Sequence, residues 1–230
     1  MRIPVLLLLL LARTVSFAQT GSAFLRNADE FEKNIGAANA VILDVRTEKE
    51  FQSGHIHRAL QANWNDSIQF RERVKYIDRQ QPVYIYCLAG IRSAAAADWM
   101  RSQGFTQVTE LQGGINSWKK AGKPLDSYKQ VKQISLAEFE SMLPKDVPVL
   151  VDFGADWCPP CRKMQPVTDS LQRDSSLAFA MINIDAGTQT ELMKTLNIVQ
   201  IPVFIIYRNG RETWRKEGLV SIEEFKKQLR

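Results

Sequence analysis

The sequence predicts an α/β protein with two domains, and three observations carry that expectation. Short β-branched runs alternate with helical stretches from about residue 23 to 125, the pattern of a parallel sheet flanked by helices. A second alternation follows a polar, weakly periodic stretch over 123–132 and closes on a hairpin signal, Asn209-Gly210, so its sheet is mixed. At 230 residues the chain is long enough for two domains of ordinary size. Its 45% hydrophobic and 24% charged residues place it among globular proteins.

In the first half, Val41, Ile42, Leu43, Asp44 and Val45 read as a buried strand, and Thr47 caps the helix that follows. Pro82 opens a strand over 83–86 that runs directly into Cys87. An Ala-rich helix over 92–102 ends at Gly104, a strand occupies 108–111, and Gly113-Gly114 turns into a helix carrying Ile115 and Trp118. Trp64, Trp99, Trp118 and Trp214 are read as core or half-buried aromatics. In parallel sheets ligands bind beyond the carboxyl ends of the strands, which is where Cys87 stands. The loop Cys87-Leu88-Ala89-Gly90-Ile91-Arg92-Ser93 leads from that strand into a helix, so backbone N–H groups can cradle a thiolate, a persulfide or an oxyanion.

This loop resembles the rhodanese active site, C-x-x-G-x-R-S/T. Asp44-Val45-Arg46, Glu50-Phe51 with Gly54-His55-Ile56, and Leu111-Gln112-Gly113-Gly114 with Trp118 are similar to the other rhodanese landmarks, in order. The resemblance implies that Cys87 carries sulfane sulfur while Leu88, Ala89, Gly90, Ile91 and Arg92 contact substrate. The C-x4-R spacing suits a sulfur atom better than the C-x5-R loop of phosphatases with the same fold. Leu88, Ala89 and Ile91 stand where thiosulfate-using rhodaneses often carry basic residues, which points to another sulfur donor. Asp44, Arg46 and His55 are read as a fold-supporting hydrogen-bond network.

The first domain is expected over 24–126, a linker over 127–131 and the second domain over 132–230. Ser135 and Glu138 form a capping box, and Ser221, with Glu224 three residues on, caps the closing helix. The apolar run 147–153 leads into Trp157-Cys158-Pro159-Pro160-Cys161, and an interrupted helical pattern follows over 162–171. Strands are expected at 179–184, 203–207 and 212–216, with a helix at 190–196. A C-x-x-C pair at the start of a helix feels the positive end of the dipole, which favours the thiolate needed for disulfide exchange. A structural zinc wants a full set of such ligands, and the chain adds only Cys87, His55 and His57, so neither a metal nor a cofactor is expected.

Around this pentapeptide the chain resembles thioredoxin. The stretch Val149-Leu150-Val151-Asp152-Phe153-Gly154-Ala155-Asp156, the later Pro166, and Ile201-Pro202 before the hairpin carry the likeness. It implies that Cys158 attacks, Cys161 resolves, and Asp152 is a buried acid assisting Cys161. Pro202, Ile201 and Trp157 would meet substrate. Pro159 replaces the usual Gly, Met181 a Lys near the acid, and Gly154 a Trp. The double proline is more similar to tryparedoxin and nucleoredoxin sites.

At the start, Arg2, the apolar run 5–11 and Ser16-Phe17-Ala18 read as a secretory leader over 1–18, too short to span a bilayer, which takes about 20 residues. Arg2 and Arg13 leave with it and no acid does, lowering the formal charge from +5 to +3, and no basic stripe remains for nucleic acid. The sequence therefore predicts an exported protein, periplasmic or else secreted, with no stable membrane insertion after cleavage. Its expected activity is thiol–disulfide exchange joined to sulfur transfer. The expected partners are protein disulfides or persulfides and a small sulfane-sulfur donor, with a membrane thiol reductase as candidate electron source. The alternative is a thioredoxin-like oxidoreductase whose first domain is a non-catalytic docking module.

Overall fold

The computed structural model describes residues 24–127 and 131–230. The leader expected over 1–18 and the middle of the linker expected over 127–131 lie outside the described residues.

The first half contains β1 (Leu25–Arg26), α1 (Ala28–Ile35), β2 (Val41–Asp44), α2 (Glu48–Gln52), β3 (Leu60–Gln61), α3 (Ser67–Val74), β4 (Val83–Tyr86), α4 (Ile91–Ser102), β5 (Val108–Leu111) and α5 (Gly114–Lys120). Its five strands form one sheet in the order β1-β5-β4-β2-β3, parallel throughout. Helices cover both faces, which is why β2 and β4 are almost continuously apolar. On one face Leu43 and Ile85 pack with Phe70, Val74 and Met100. On the other, Ile42 and Tyr86 pack with Phe31, Ile115 and Trp118. The network expected at the end of β2 is present: Arg46 Nη2 donates to Asp44 Oδ2 at 2.6 Å and to the Gly54 carbonyl at 2.7 Å, and His55 Nδ1 lies 3.0 Å from the Phe51 carbonyl.

The second half contains α6 (Leu136–Met142), β6 (Val149–Gly154), α7 (Pro159–Gln172), β7 (Ala180–Asp185), α8 (Thr190–Thr195), β8 (Val203–Arg208), β9 (Arg211–Glu217) and α9 (Ile222–Leu229). The sheet order is β7-β6-β8-β9, with β6 parallel to β7 and the other two pairings antiparallel. Ser135 and Glu138 satisfy each other's backbone N–H as a capping box, and Ser221 accepts from the Glu224 N–H. Asn209 (φ 53°) and Gly210 (φ 73°) make the tight turn between β8 and β9. Pro166 lies inside α7, whose N-terminus points the dithiol turn at the first domain.

Candidate active sites

Cys158 is the N-cap of α7 and is disulfide-bonded to Cys161, with their Cα atoms 5.3 Å apart. Pro159 and Pro160 occupy the next positions, where a missing N–H costs the helix nothing. The Cys161 N–H, the first the turn offers, donates to Cys158 Sγ at 3.3 Å. Opposite, the Ile201–Pro202 peptide is cis and the Ile201 carbonyl oxygen lies 3.8 Å from Cys158 Sγ.

Asp152, on β6, lines a cleft of about 410 Å³ together with Gly154 and Cys161. A Cβ built on Gly154 would stand 3.3 Å from Asp152 Oδ1 and 3.8 Å from Cys161 Sγ, so the missing side chain keeps acid and thiol in one space. Burial pushes the Asp152 carboxyl up to about 7. A carboxyl poised there exchanges protons with its surroundings at neutral pH.

The first domain covers the Cys158 side of this site. Cys158 is 0% exposed and Trp157 3%. Both belong to the packed cluster formed by Ala28, Phe31, Ile42 and Phe51 of the first domain. β3 is the edge of its sheet, and its outward Gln61 N–H donates to the Trp157 carbonyl at 2.9 Å, so the dithiol turn satisfies an otherwise open strand edge. Phe51 meets the Trp157 ring at 5.8 Å between centroids. Gln52 Nε2 donates to the Gly187 carbonyl at 3.0 Å. The Trp157 Nε1–H is buried without an acceptor among the described residues.

Cys87 follows β4 and is 1% exposed. Its Sγ accepts the Gly90 N–H at 3.1 Å and faces the Ser93 hydroxyl at 3.5 Å. Gly90 has φ 105°, a conformation that turns its N–H onto the sulfur and that side chains disfavour. Burial alone would raise the thiol, but hydrogen bonds from Ser93, Ala89 and Gly90 bring it below its ordinary value. α5 braces the loop from behind: the Ile115 N–H donates to the Cys87 carbonyl at 2.8 Å and the Asn116 N–H to the Leu88 carbonyl at 3.1 Å. Leu88, Ala89 and Ile91 form an exposed apolar rim. Arg92 turns to Glu50, donating through both terminal nitrogens at 2.9 and 2.6 Å.

One short helix therefore serves both centres. α2 gives Glu50 to the Cys87 loop, Phe51 to the Trp157 ring beside Cys158, and Gln52 to the Gly187 carbonyl of the second domain. The two sulfurs lie in different packed clusters, Cys87 with Val45 and Ala97, Cys158 with Phe51 and Trp118. Sequence reasoning missed Glu50, Gln61, Arg73 and Ser93 as site residues. For Ser93 a signal existed, since it ends the C-x-x-G-x-R-S/T pattern. For Gln61 and Arg73 the only signal is a contact across the domain seam. Among the described residues no group of three or more His, Cys, Asp or Glu side chains could hold a metal ion, and no helix is long and apolar enough to cross a membrane.

A dithiol beside a cis-proline on a mixed sheet and a cysteine cradled by N–H groups on a parallel sheet define a two-domain sulfur-chemistry protein. Residues 27–121 match the model of the rhodanese-like domain, and residues 130–230 match that of thioredoxin. Among curated relatives, "Thioredoxin Y, chloroplastic" of Oryza sativa is 32% identical over 44% of this chain, which spans 60% of that protein's length. The thioredoxin of Rickettsia bellii is 32% identical over 35% of this chain and 76% of its own. "Thiosulfate sulfurtransferase GlpE" of Vibrio cholerae is 32% identical over 38% of this chain and 80% of its own. The chain belongs to the rhodanese and thioredoxin families, one domain of each in that order.

Proposed function

We propose that the protein is an exported thiol–disulfide oxidoreductase coupled to a rhodanese-type sulfurtransferase, Cys87 carrying sulfane sulfur and Cys158 with Cys161 reducing disulfides or persulfides. The observation that carries this reading is the pairing of a formed Cys158–Cys161 disulfide, beside an acid held near neutrality, with a second cysteine in an N–H cradle.

In the reduced protein the Cys158 thiolate attacks a client disulfide, forming a mixed disulfide and releasing the client's other sulfur as thiolate. Cys161 then gives its proton to Asp152 and attacks Cys158, which expels the second client sulfur and re-forms the disulfide. Cys87 takes a sulfane sulfur from a donor and holds it as a persulfide against the Gly90 N–H. Attack by Cys158 on the inner sulfur of that persulfide would release hydrosulfide and join Cys158 to Cys87, and Cys161 would free Cys87. Because first-domain residues cover Cys158, and the two sulfurs belong to different clusters, this relay needs the domains to part. Reducing equivalents come from a thiol reductase in the membrane, and export places the chemistry in the periplasm or outside the cell.

The test is mass spectrometry of the full chain after exposure to a sulfane donor. Cys158→Ser should accumulate persulfide on Cys87, and Cys161→Ser should trap a mixed disulfide on Cys158. An exported product beginning at Gln19 supports the leader. A product that retains the first residues removes the compartment from the reading.

A second reading keeps the first domain as a docking module, and the observation favouring it is its cover over Trp157 and Cys158. Cys87→Ser separates the two: a docking module keeps full activity in its own compartment, a sulfurtransferase does not.

A further inference from the structure

We propose that Cys87 takes its sulfur from an organic persulfide with an apolar body, and that Glu50 sets this preference by cancelling the charge of Arg92. The inference rests on the reading of Cys87 as a sulfur carrier and names the donor class for that site.

A rhodanese loop that accepts thiosulfate must bring a dianion against a thiolate and hold sulfite as it leaves, which calls for positive charge at the mouth. Arg92 is the one cation between Cys87 and Ser93. Its guanidinium is held by both carboxylate oxygens of Glu50. Glu50 cannot readily release it: hydrogen bonds from Arg92 and then from Thr47 hold its carboxyl down to about 2, so it is ionised at every working pH. The Thr47 N–H and hydroxyl also fix it, at 3.0 and 2.8 Å, within the capping box of α2. The pair is net neutral and locked by the fold.

What remains around Cys87 is a set of neutral dipoles inside and an apolar rim outside. Leu88 is 41% exposed and Ile91 83%. Exposed apolar side chains beside a reactive sulfur offer nothing to a sulfonate and bind a hydrocarbon body. The Gly90 N–H and the Ser93 hydroxyl suit a single negative charge on sulfur, the charge of Cys87–S–S⁻. The step balances without a further reactant. The Cys87 thiolate attacks the outer sulfur of protonated R–S–S–H, the donor S–S bond breaks, and R–S⁻ leaves. It takes the persulfide proton and departs as R–SH.

The experiment follows loading of Cys87 by intact mass in the full chain, with the Cys158–Cys161 pair kept oxidised so that it cannot strip the sulfur. Donors are thiosulfate, mercaptoethanol persulfide, and a persulfide on a small protein thiol. The expected result is loading by at least one persulfide with kcat/KM about tenfold or more above thiosulfate. Faster loading from the protein persulfide puts the physiological donor on a protein, and faster loading from the small one makes it a free thiol compound. Glu50→Gln, which can still cap α2, frees Arg92 and should raise the ratio of thiosulfate to persulfide kcat/KM about tenfold. Ile91→Lys, at an exposed position that cannot affect packing, should move the same ratio in the same direction. Thiosulfate loading as fast as either persulfide, or a donor ratio unmoved by both variants, overturns the assignment of donor and of Glu50 while leaving Cys87 a sulfur carrier. No loading from any donor overturns the sulfur-carrier reading itself, and this inference with it.

Discussion

The guanidinium of Arg73, on α3 of the first domain, stacks 5.0 Å from the ring centroid of Trp157, the residue before Cys158. Arg73 is 5% exposed and also donates to the Gln61 carbonyl at 3.3 Å and to the Gln61 side-chain amide. Burial lowers its pKa to about 10, which leaves it protonated at neutral pH. A charge this deep is tolerated only with partners, and the indole face is one of them.

Arg73→Met keeps an apolar stem of similar length and removes the charge, so it should loosen the cover over Cys158. A buried cation–π contact is worth about 0.5–2 kcal/mol, equivalent to roughly two- to thirtyfold in the open population. Alkylation of Cys158 in the reduced full chain should accelerate within that range. Equal rates in the two proteins would mean the first domain does not restrict access.

Asp152→Asn reports on proton handling. The folded carboxyl titrates at about 7, above its ordinary 3.8, so between those pH values the folded chain holds a proton that the unfolded chain gives up. Stability from this group is therefore full below about pH 4 and is lost as pH rises through 7. The amide removes that loss, and denaturant unfolding of the oxidised chain at pH 8 should find the variant more stable by about 1–3 kcal/mol, with little difference at low pH. In the reduced chain, resolution by Cys161 should slow and lose its inflection near pH 7.

Ser93→Ala should raise the Cys87 thiol. The hydroxyl hydrogen bond favours the thiolate, so removing it lets burial push the thiol back up. The pH profile of Cys87 alkylation should shift alkaline, while Cys158 reactivity stays where it was. An unchanged profile would assign the low thiol pKa to the backbone N–H groups alone.

Gly114→Ala should collapse the brace behind the same loop. A Cβ there would stand 2.5 Å from the Cys87 carbonyl oxygen and 2.7 Å from the Leu88 backbone, at a φ of +61°. Both contacts are with backbone, so the loop must move. The expected cost is more than about 2 kcal/mol in equilibrium unfolding. Sulfur loading of Cys87 should fall with it.

Much of both sites was legible in the chain because their chemistry is local. The Trp157-Cys158-Pro159-Pro160-Cys161 turn follows a strand and starts a helix, and the Cys87 loop does the same, so period and capping residues locate them. The fold class follows from the same alternation, and Asn209-Gly210 with the Ser135 and Ser221 caps marks the boundaries that matter. β1 and β3 escape such reading because a two-residue strand shows no period.

What the sequence by itself determined is the identity of the sulfur-bearing groups and the local setting of each, drawn from neighbours within six residues. Only the tertiary structure decided what surrounds them. Glu50 meets Arg92 across 42 residues, Gln61 reaches Trp157 from the other domain, and Gly154 leaves room between Asp152 and Cys161. The Gln61 contact comes from packing one domain's open strand edge against the other's helix N-terminus, and the other two from packing within each domain. Burial of that kind depends on the shape of both surfaces, so no local pattern in the sequence encodes it.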